Sequence, residues 1–275
     1  MSRRVRVMAA LVMAPLAIGS VLFLPTPLLA AAAAAVLVIG LWEWTMLAGV
    51  TGTAARAAYL AANVALMATL AWAAGQGLSL LVGVATWGAL WWVLAIAWLA
   101  RYEFGSRGQA WARALKLAAG TLCVVPAWAA LCWLHAGVAN GPAWTLFALL
   151  IVWIADTGAY FTGVRFGRHK LAPRISPGKS WEGLAGGFGA TLLLAVAAVP
   201  VLGIGWPRAH ELLLLTAVAG LVSVAGDLFE SLLKRHAGVK DSGHLIPGHG
   251  GILDRLDGVL AALPAFALGK ALLGF

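Results

Sequence analysis

Nine apolar stretches, near residues 7–24, 28–50, 55–74, 78–100, 112–134, 143–164, 184–206, 211–232 and 257–273, are separated only by short segments carrying charge, glycine or proline. A helix needs about 20 apolar residues to cross the hydrocarbon core of a bilayer, so each stretch is at or near spanning length. Charged residues make up 11% of the 275-residue chain and hydrophobic ones 62%, against roughly 25% charged in a soluble domain. An ordinary water-soluble globule is thereby excluded. The pattern predicts an all-α polytopic membrane protein with about nine transmembrane helices. Residues 1–140 read as about five N-terminal membrane helices, and 141–275 as the helices and loops bearing polar motifs, all in one integral unit. Met1 to Gly19 also resembles a signal peptide, but removing it leaves the later topology unchanged.

The net charge of +9 is a topology signal before anything else. With a cytoplasmic N-terminus, seventeen of the nineteen Lys and Arg fall on the inside, and only Arg208 and Lys270 fall outside. Short cytoplasmic loops collect such cations, so a nucleic-acid partner is not expected. Cys123 and Cys132 lie nine residues apart in one apolar run, on opposite faces of a helix, and read as packing residues. The fourteen tryptophans suit packing and interfacial anchoring.

The acids are distributed differently. Eight of the ten lie between 156 and 257, and only Glu43 and Glu103 precede them. An Asp at the centre of a membrane helix costs about 2.5–3.5 kcal/mol, so Asp156, Asp227 and Glu230 each need a partner. An interhelical hydrogen bond or ion pair satisfies that need for any one of them alone. Glu43, between Trp42 and Trp44, reads first as such a hydrogen-bonded acid and second as a contributor to a site. In the segment 226–235, Asp227, Glu230, Ser231 and Lys234 fall on one helical face. Asp254 and Asp257 repeat the i, i+3 spacing where the last helix begins. Two carboxylates about 4 Å apart repel by roughly 4 kcal/mol at an effective dielectric near 20, and a divalent cation converts that repulsion into binding. An all-oxygen donor set suits Mg²⁺ rather than Zn²⁺, and Mg²⁺ commonly accompanies phosphates.

Phosphate-binding groups occupy the same loops. Gly248, Gly250 and Gly251 precede a helix start, where backbone N–H groups approach an anion closely, with Lys240, Asp241, His249 and Arg255 around them. A flexible connector is the plainer reading of the glycines. In the preceding loop, Ser176 to Gly183, Pro177 is expected to fix a turn, and Lys179 and Ser180 to reach a phosphate oxygen. That loop lacks the glycine spacing of a P-loop.

The 27-residue run from Ser231 to Asp257 resembles the signature of the phosphatidate cytidylyltransferases, also called CDP-diacylglycerol synthases. Asp156 to Tyr160, Ser176 to Gly183 and Gly226-Asp227-Leu228 resemble further segments of that family. It usually carries Lys at the position of Gly178, which leaves Lys179 as that loop's cation. The resemblance implies an enzyme of the bacterial inner membrane, a homodimer among membrane lipids, with its active site facing the cytoplasm. It implies conversion of CTP and phosphatidate to CDP-diacylglycerol and pyrophosphate with Mg²⁺, and leaves room for a second cation. Asp227 and Asp254 are then the first choices as metal ligands, followed by Asp257 and Glu230, and Lys234 and Arg255 complete the catalytic set. Ser176, Lys179, Ser180, Glu182, Ser231, Arg235, Lys240, Asp241, His249, Gly250 and Gly251 are the expected substrate contacts, with Asp156 and Tyr160 as further candidates. His135, His169 and His210 read as loop or interface residues. The competing readings are a CTP-dependent polyprenol or dolichol-type lipid kinase and an ion-coupled transporter.

Overall fold

The computed structural model describes residues 3–137, 140–245 and 250–275, with side chains from residue 12 onward. Within these residues the chain forms nine α-helices: α1 (Arg3–Phe23), α2 (Thr26–Leu47), α3 (Thr53–Ala74), α4 (Ser79–Leu99), α5 (Ala110–His135), α6 (Gly141–Phe166), α7 (Trp181–Val201), α8 (Ala209–His236) and α9 (Asp257–Leu273). Seven of them, α2 to α8, are long and apolar enough to cross a membrane, so the chain is a polytopic integral membrane protein. The shorter apolar part of α1 is Val12–Phe23, and α9 has only 17 residues.

Helix ends follow local chemistry. Pro25 and Pro27 open α2, because a missing N–H costs nothing in a first turn. α7 ends at Val201, earlier than hydropathy alone predicts, in a turn where Gly203 takes a positive φ. α8 runs to His236, a turn beyond its apolar stretch, and so includes Lys234 and Arg235.

The expectation of an all-α chain needs one correction. Between α6 and α7 the backbone forms an antiparallel hairpin of β1 (Lys170–Ala172) and β2 (Ser176–Ser180). Pro177 consequently lies within β2 and does not fix the turn. A two-stranded ribbon consists of edges only, where a proline's missing donor is tolerated.

The bundle is built around α5 and α9. Helix α9 packs on α4, α5 and α8, with Phe266 and Ala267 fully enclosed. Gly88 of α4 faces Pro126 of α5 and Pro264 of α9, and a Cβ there would collide with Pro126. A second knot surrounds Phe229 of α8, which is wholly buried against Trp44, Trp91, Trp92 and Trp98 at ring-centroid distances of 5.3 to 6.3 Å. Both cysteines are buried packing residues, as expected. His135 ties α5 to the α1–α2 corner through Thr26 Oγ1 and the Val21 carbonyl, at 2.8 and 2.9 Å.

Close helix approach sets the position of the acids. Gly226 of α8 lies against the backbone carbonyl of Asp257 and the Cβ of Ala261 on α9, leaving no room for a side chain. Gly226→Ala is therefore expected to destabilise the folded protein by about 1–3 kcal/mol, since neither backbone can yield, and thermal unfolding in detergent measures it. An unchanged unfolding temperature would mean that the two helices are free to separate there.

Candidate active site

One end of the bundle holds the hairpin, the ends of α6 and α8, and the start of α9, and between them lies a cavity of about 340 Å³. This falls within the size range of small-molecule sites. Asp156 and Tyr160 from α6, Lys179 and Ser180 from β2, Asp227 from α8, Asp254 and Arg255 from the α8–α9 connection, and Asp257 from the start of α9 all line it. Apolar side chains, among them Leu184, Phe188 and Leu221, line the same space.

Each wall has a local cause. Helices α6 and α7 approach closely because Gly158 faces Gly186 and Gly187, and Gly183 faces Ala159. Ser180 caps α7, accepting a hydrogen bond from the Gly183 N–H at 3.1 Å, as serine does at an N-cap. Glu182 in the first turn of α7 accepts from the backbone N–H groups of Arg168 and His169 and pairs with His169 Nδ1 at 2.6 Å. It thereby fixes the base of the hairpin and does not line the cavity.

The charged groups form two linked clusters. In the first, Lys179 Nζ lies 2.5 Å from Asp227 Oδ2, and the Ser231 hydroxyl donates to Asp227 Oδ1 at 3.4 Å. In the second, Lys234 Nζ reaches Glu230 Oε2 at 3.0 Å and Asp254 Oδ1 at 2.6 Å, with all three side chains at or below 10% exposure. The predicted face of Asp227, Glu230, Ser231 and Lys234 is thus present. Asp254 also accepts from the N–H groups of Gly251, at 2.8 Å, and Ser242, at 3.1 Å. Burial works against its charge, yet Lys234 and the two N–H groups hold its carboxyl below the usual carboxylate range. Because that value is depressed in the folded state, the stabilisation is present above the ordinary carboxylate pKa. It disappears as the pH falls through the depressed value.

Asp257 Oδ1 accepts from Gly258 N–H at 2.8 Å at the start of α9. Arg235 Nε donates to the Ile175 carbonyl at 3.1 Å, tying α8 to the hairpin. Ser176 lies on β2, and Lys240 and Asp241 are exposed. Gly250, with φ +82°, approaches the Asp254 carboxylate more closely than a side chain would allow. His249 lies outside the described residues. Glu43, read from the sequence first as a hydrogen-bonded acid and second as a site contributor, has its carboxylate under the α8–α9 loop, where it is bound by Ser242, Ile252 and Leu253. The signal was its place in a Trp-Glu-Trp run inside an apolar helix.

Among the described residues, no three His, Cys, Asp or Glu groups are placed together so as to hold a metal ion. That does not conflict with Mg²⁺, which commonly keeps several waters and takes one or two carboxylates. The donor chemistry fits it, since Asp156, Asp227, Asp254 and Asp257 share one cavity, with the buried Glu230 carboxylate beside them.

The Cytidylyltransferase family's sequence pattern matches residues 4–272. The chain belongs to this family. Cytidylyltransferase relatives that it resembles over most of its length include the phosphatidate cytidylyltransferase of Pseudomonas aeruginosa, 42% identical over 266 residues, covering 95% of this chain and 94% of that one. The Haemophilus influenzae phosphatidate cytidylyltransferase is 35% identical over 284 aligned positions, covering 95% and 96%. The Thermotoga maritima phosphatidate cytidylyltransferase is 44% identical over 128 residues, covering 45% of this chain and 47% of that one.

Proposed function

We propose that the chain transfers the cytidylyl group of CTP to phosphatidate, giving CDP-diacylglycerol and pyrophosphate. The observation that carries this reading is the cavity itself, where Lys179, Asp227, Asp254, Arg255 and Asp257 meet beside apolar walls at one end of a membrane bundle. A polar nucleotide and a lipid headgroup need such a boundary to meet.

In the proposed reaction a phosphatidate phosphate oxygen attacks the α-phosphorus of CTP in line. The new P–O bond forms as the α–β phosphoanhydride bond breaks, and pyrophosphate carries away the bonding pair. The nucleophile is already ionised near neutral pH, so no strong general base is required. The protein's task is to neutralise two anions, align them and stabilise charge on the leaving group. Lys179, Lys234 and Arg255 would bind phosphate oxygens, with Lys234 exchanging its contact to Asp254 for one to substrate. Arg235 and Glu182 would hold the hairpin wall. Mg²⁺, held by one or two carboxylates with Asp227 and Asp254 the first choices and Asp257 and Glu230 next, would supply further neutralisation of the phosphates.

The cation distribution supports nine crossings with a cytoplasmic N-terminus, which would put this end of the bundle on the CTP side. A homodimer in the bacterial inner membrane, with residues 141–275 as the catalytic half, completes the reading. The soluble product tests it against a lipid kinase. Purified protein given CTP, phosphatidate and Mg²⁺ is expected to release one pyrophosphate per lipid product, whereas accumulation of CDP without pyrophosphate would contradict cytidylyl transfer.

Arg208 provides an internal control. It pairs with Glu211 at 2.6 Å, bonds the Leu273 carbonyl and lies over the Phe275 ring, all at the other end of α8. Arg208→Ala is expected to leave kcat/KM within about twofold, as for surface changes remote from a site. A larger fall in correctly inserted protein would extend the functional region across the bundle.

A further inference from the structure

We propose that Glu43 is a positioning residue: from α2 it holds the α8–α9 loop in the form that presents Gly250, Gly251 and Asp254 to the CTP phosphates. The inference rests on the reading of that loop as the nucleotide site. A fully buried carboxylate inside an apolar helix is costly unless it is bonded on all sides. The partners found for Glu43 lie about two hundred positions later in the chain. Its Oε2 accepts from the Ser242 hydroxyl at 2.9 Å and from Leu253 N–H at 2.8 Å, and its Oε1 accepts from Ile252 N–H at 3.1 Å.

These bonds hold the loop at both of its described ends. Ile252 and Leu253 open the 3₁₀ turn Leu253–Arg255, whose first N–H groups lack partners within the turn, so Glu43 caps it from another helix. Ser242 is shared between two acids, since its hydroxyl donates to Glu43 and its backbone N–H donates to Asp254. A Cβ at Gly243 or Gly251 would collide with the Glu43 carboxylate, so the loop glycines let the backbone close around it. Glu43 is not among the residues lining the cavity and acts through the loop.

The test compares Glu43→Ala, Glu43→Gln and Ser242→Ala in purified full-length protein. Steady-state kinetics read the two substrates separately, and amide hydrogen exchange reads the loop without substrate. For Glu43→Ala the KM for CTP is expected to rise about tenfold while that for phosphatidate stays within about twofold, since only the nucleotide loop loses its hydrogen bonds. Glu43→Gln keeps one acceptor oxygen and turns a donor toward a backbone N–H, so it should fall between Glu43→Ala and wild type. Ser242→Ala removes a single bond and should show the smallest change in the same direction. Faster exchange at Ile252 and Leu253, with the helices still protected, is expected in the substrate-free Glu43 variants.

The proposal is overturned if exchange at those two amides is unchanged, or if activity falls only in proportion to folded protein with the CTP KM constant. Should Glu43→Ala fail to fold, Ser242→Ala and Glu43→Gln give the same readouts. Hydrogen exchange needs no turnover, so a wild-type protein that makes no CDP-lipid would refute the functional reading while the pinning of the loop is still measured.

Discussion

Asp254→Asn is expected to lower CDP-lipid formation by at least about a hundredfold and to destabilise the protein as well. The carboxylate takes an ammonium hydrogen bond from Lys234 at 2.6 Å and two backbone N–H bonds, from Gly251 and Ser242. An asparagine has a single acceptor oxygen, so its amide N–H₂ must face either the Lys234 ammonium or a loop N–H. Breaking a buried ion pair costs roughly 3–5 kcal/mol, partly offset here because Glu230 still neutralises Lys234. Both the turn and the charge at the cavity are affected. Turnover of α-labelled CTP and a detergent unfolding curve measure the two effects, and near-normal turnover would remove Asp254 from the reacting centre.

Asp227→Asn should separate those effects. Its activity is expected to fall by about a hundredfold or more, because the cavity loses a carboxylate from the acidic face of α8. Its stability should change far less. Asp227 and Lys179 are 27% and 24% exposed, so water takes over much of what the pair provides. Ser231 can still donate to the amide oxygen. An inserted, normally stable and nearly inactive variant is therefore the expected outcome. A stable variant with full activity would show that the Lys179–Asp227 pair holds the hairpin against α8 and does nothing more.

What was legible in the sequence divides along physical lines. Hydropathy located every helix, because crossing a bilayer demands a run of apolar residues whatever the tertiary arrangement. It did not reveal that α9 lies at the centre of the bundle, since a helix packed among helices and one packed among lipids have similar compositions. The i, i+3 and i, i+4 spacings placed Asp227, Glu230, Ser231 and Lys234 on one face, as helix geometry requires. Partners across the fold were another matter. Neither the Lys179–Asp227 pair nor the bond from Lys234 to Asp254 follows from local periodicity, because each depends on where the hairpin and the α9 turn dock. Pro177 argued for a turn and sits in a strand, because a two-stranded ribbon tolerates what a wider sheet rejects. Glu43 was visible as an anomalous acid, but its partners lie beyond position 240, and only the tertiary structure brings them under α2.

The central claim is that this cavity transfers the cytidylyl group to lipid. It is tested most directly by giving reconstituted wild-type and Asp227→Asn protein CTP labelled at either the α or the γ phosphate, with phosphatidate and Mg²⁺. Label in the lipid product from the α position, none from the γ position, and loss of incorporation in the variant is the expected result. Lipid labelled from the γ position, or wild-type incorporation by Asp227→Asn, would contradict it.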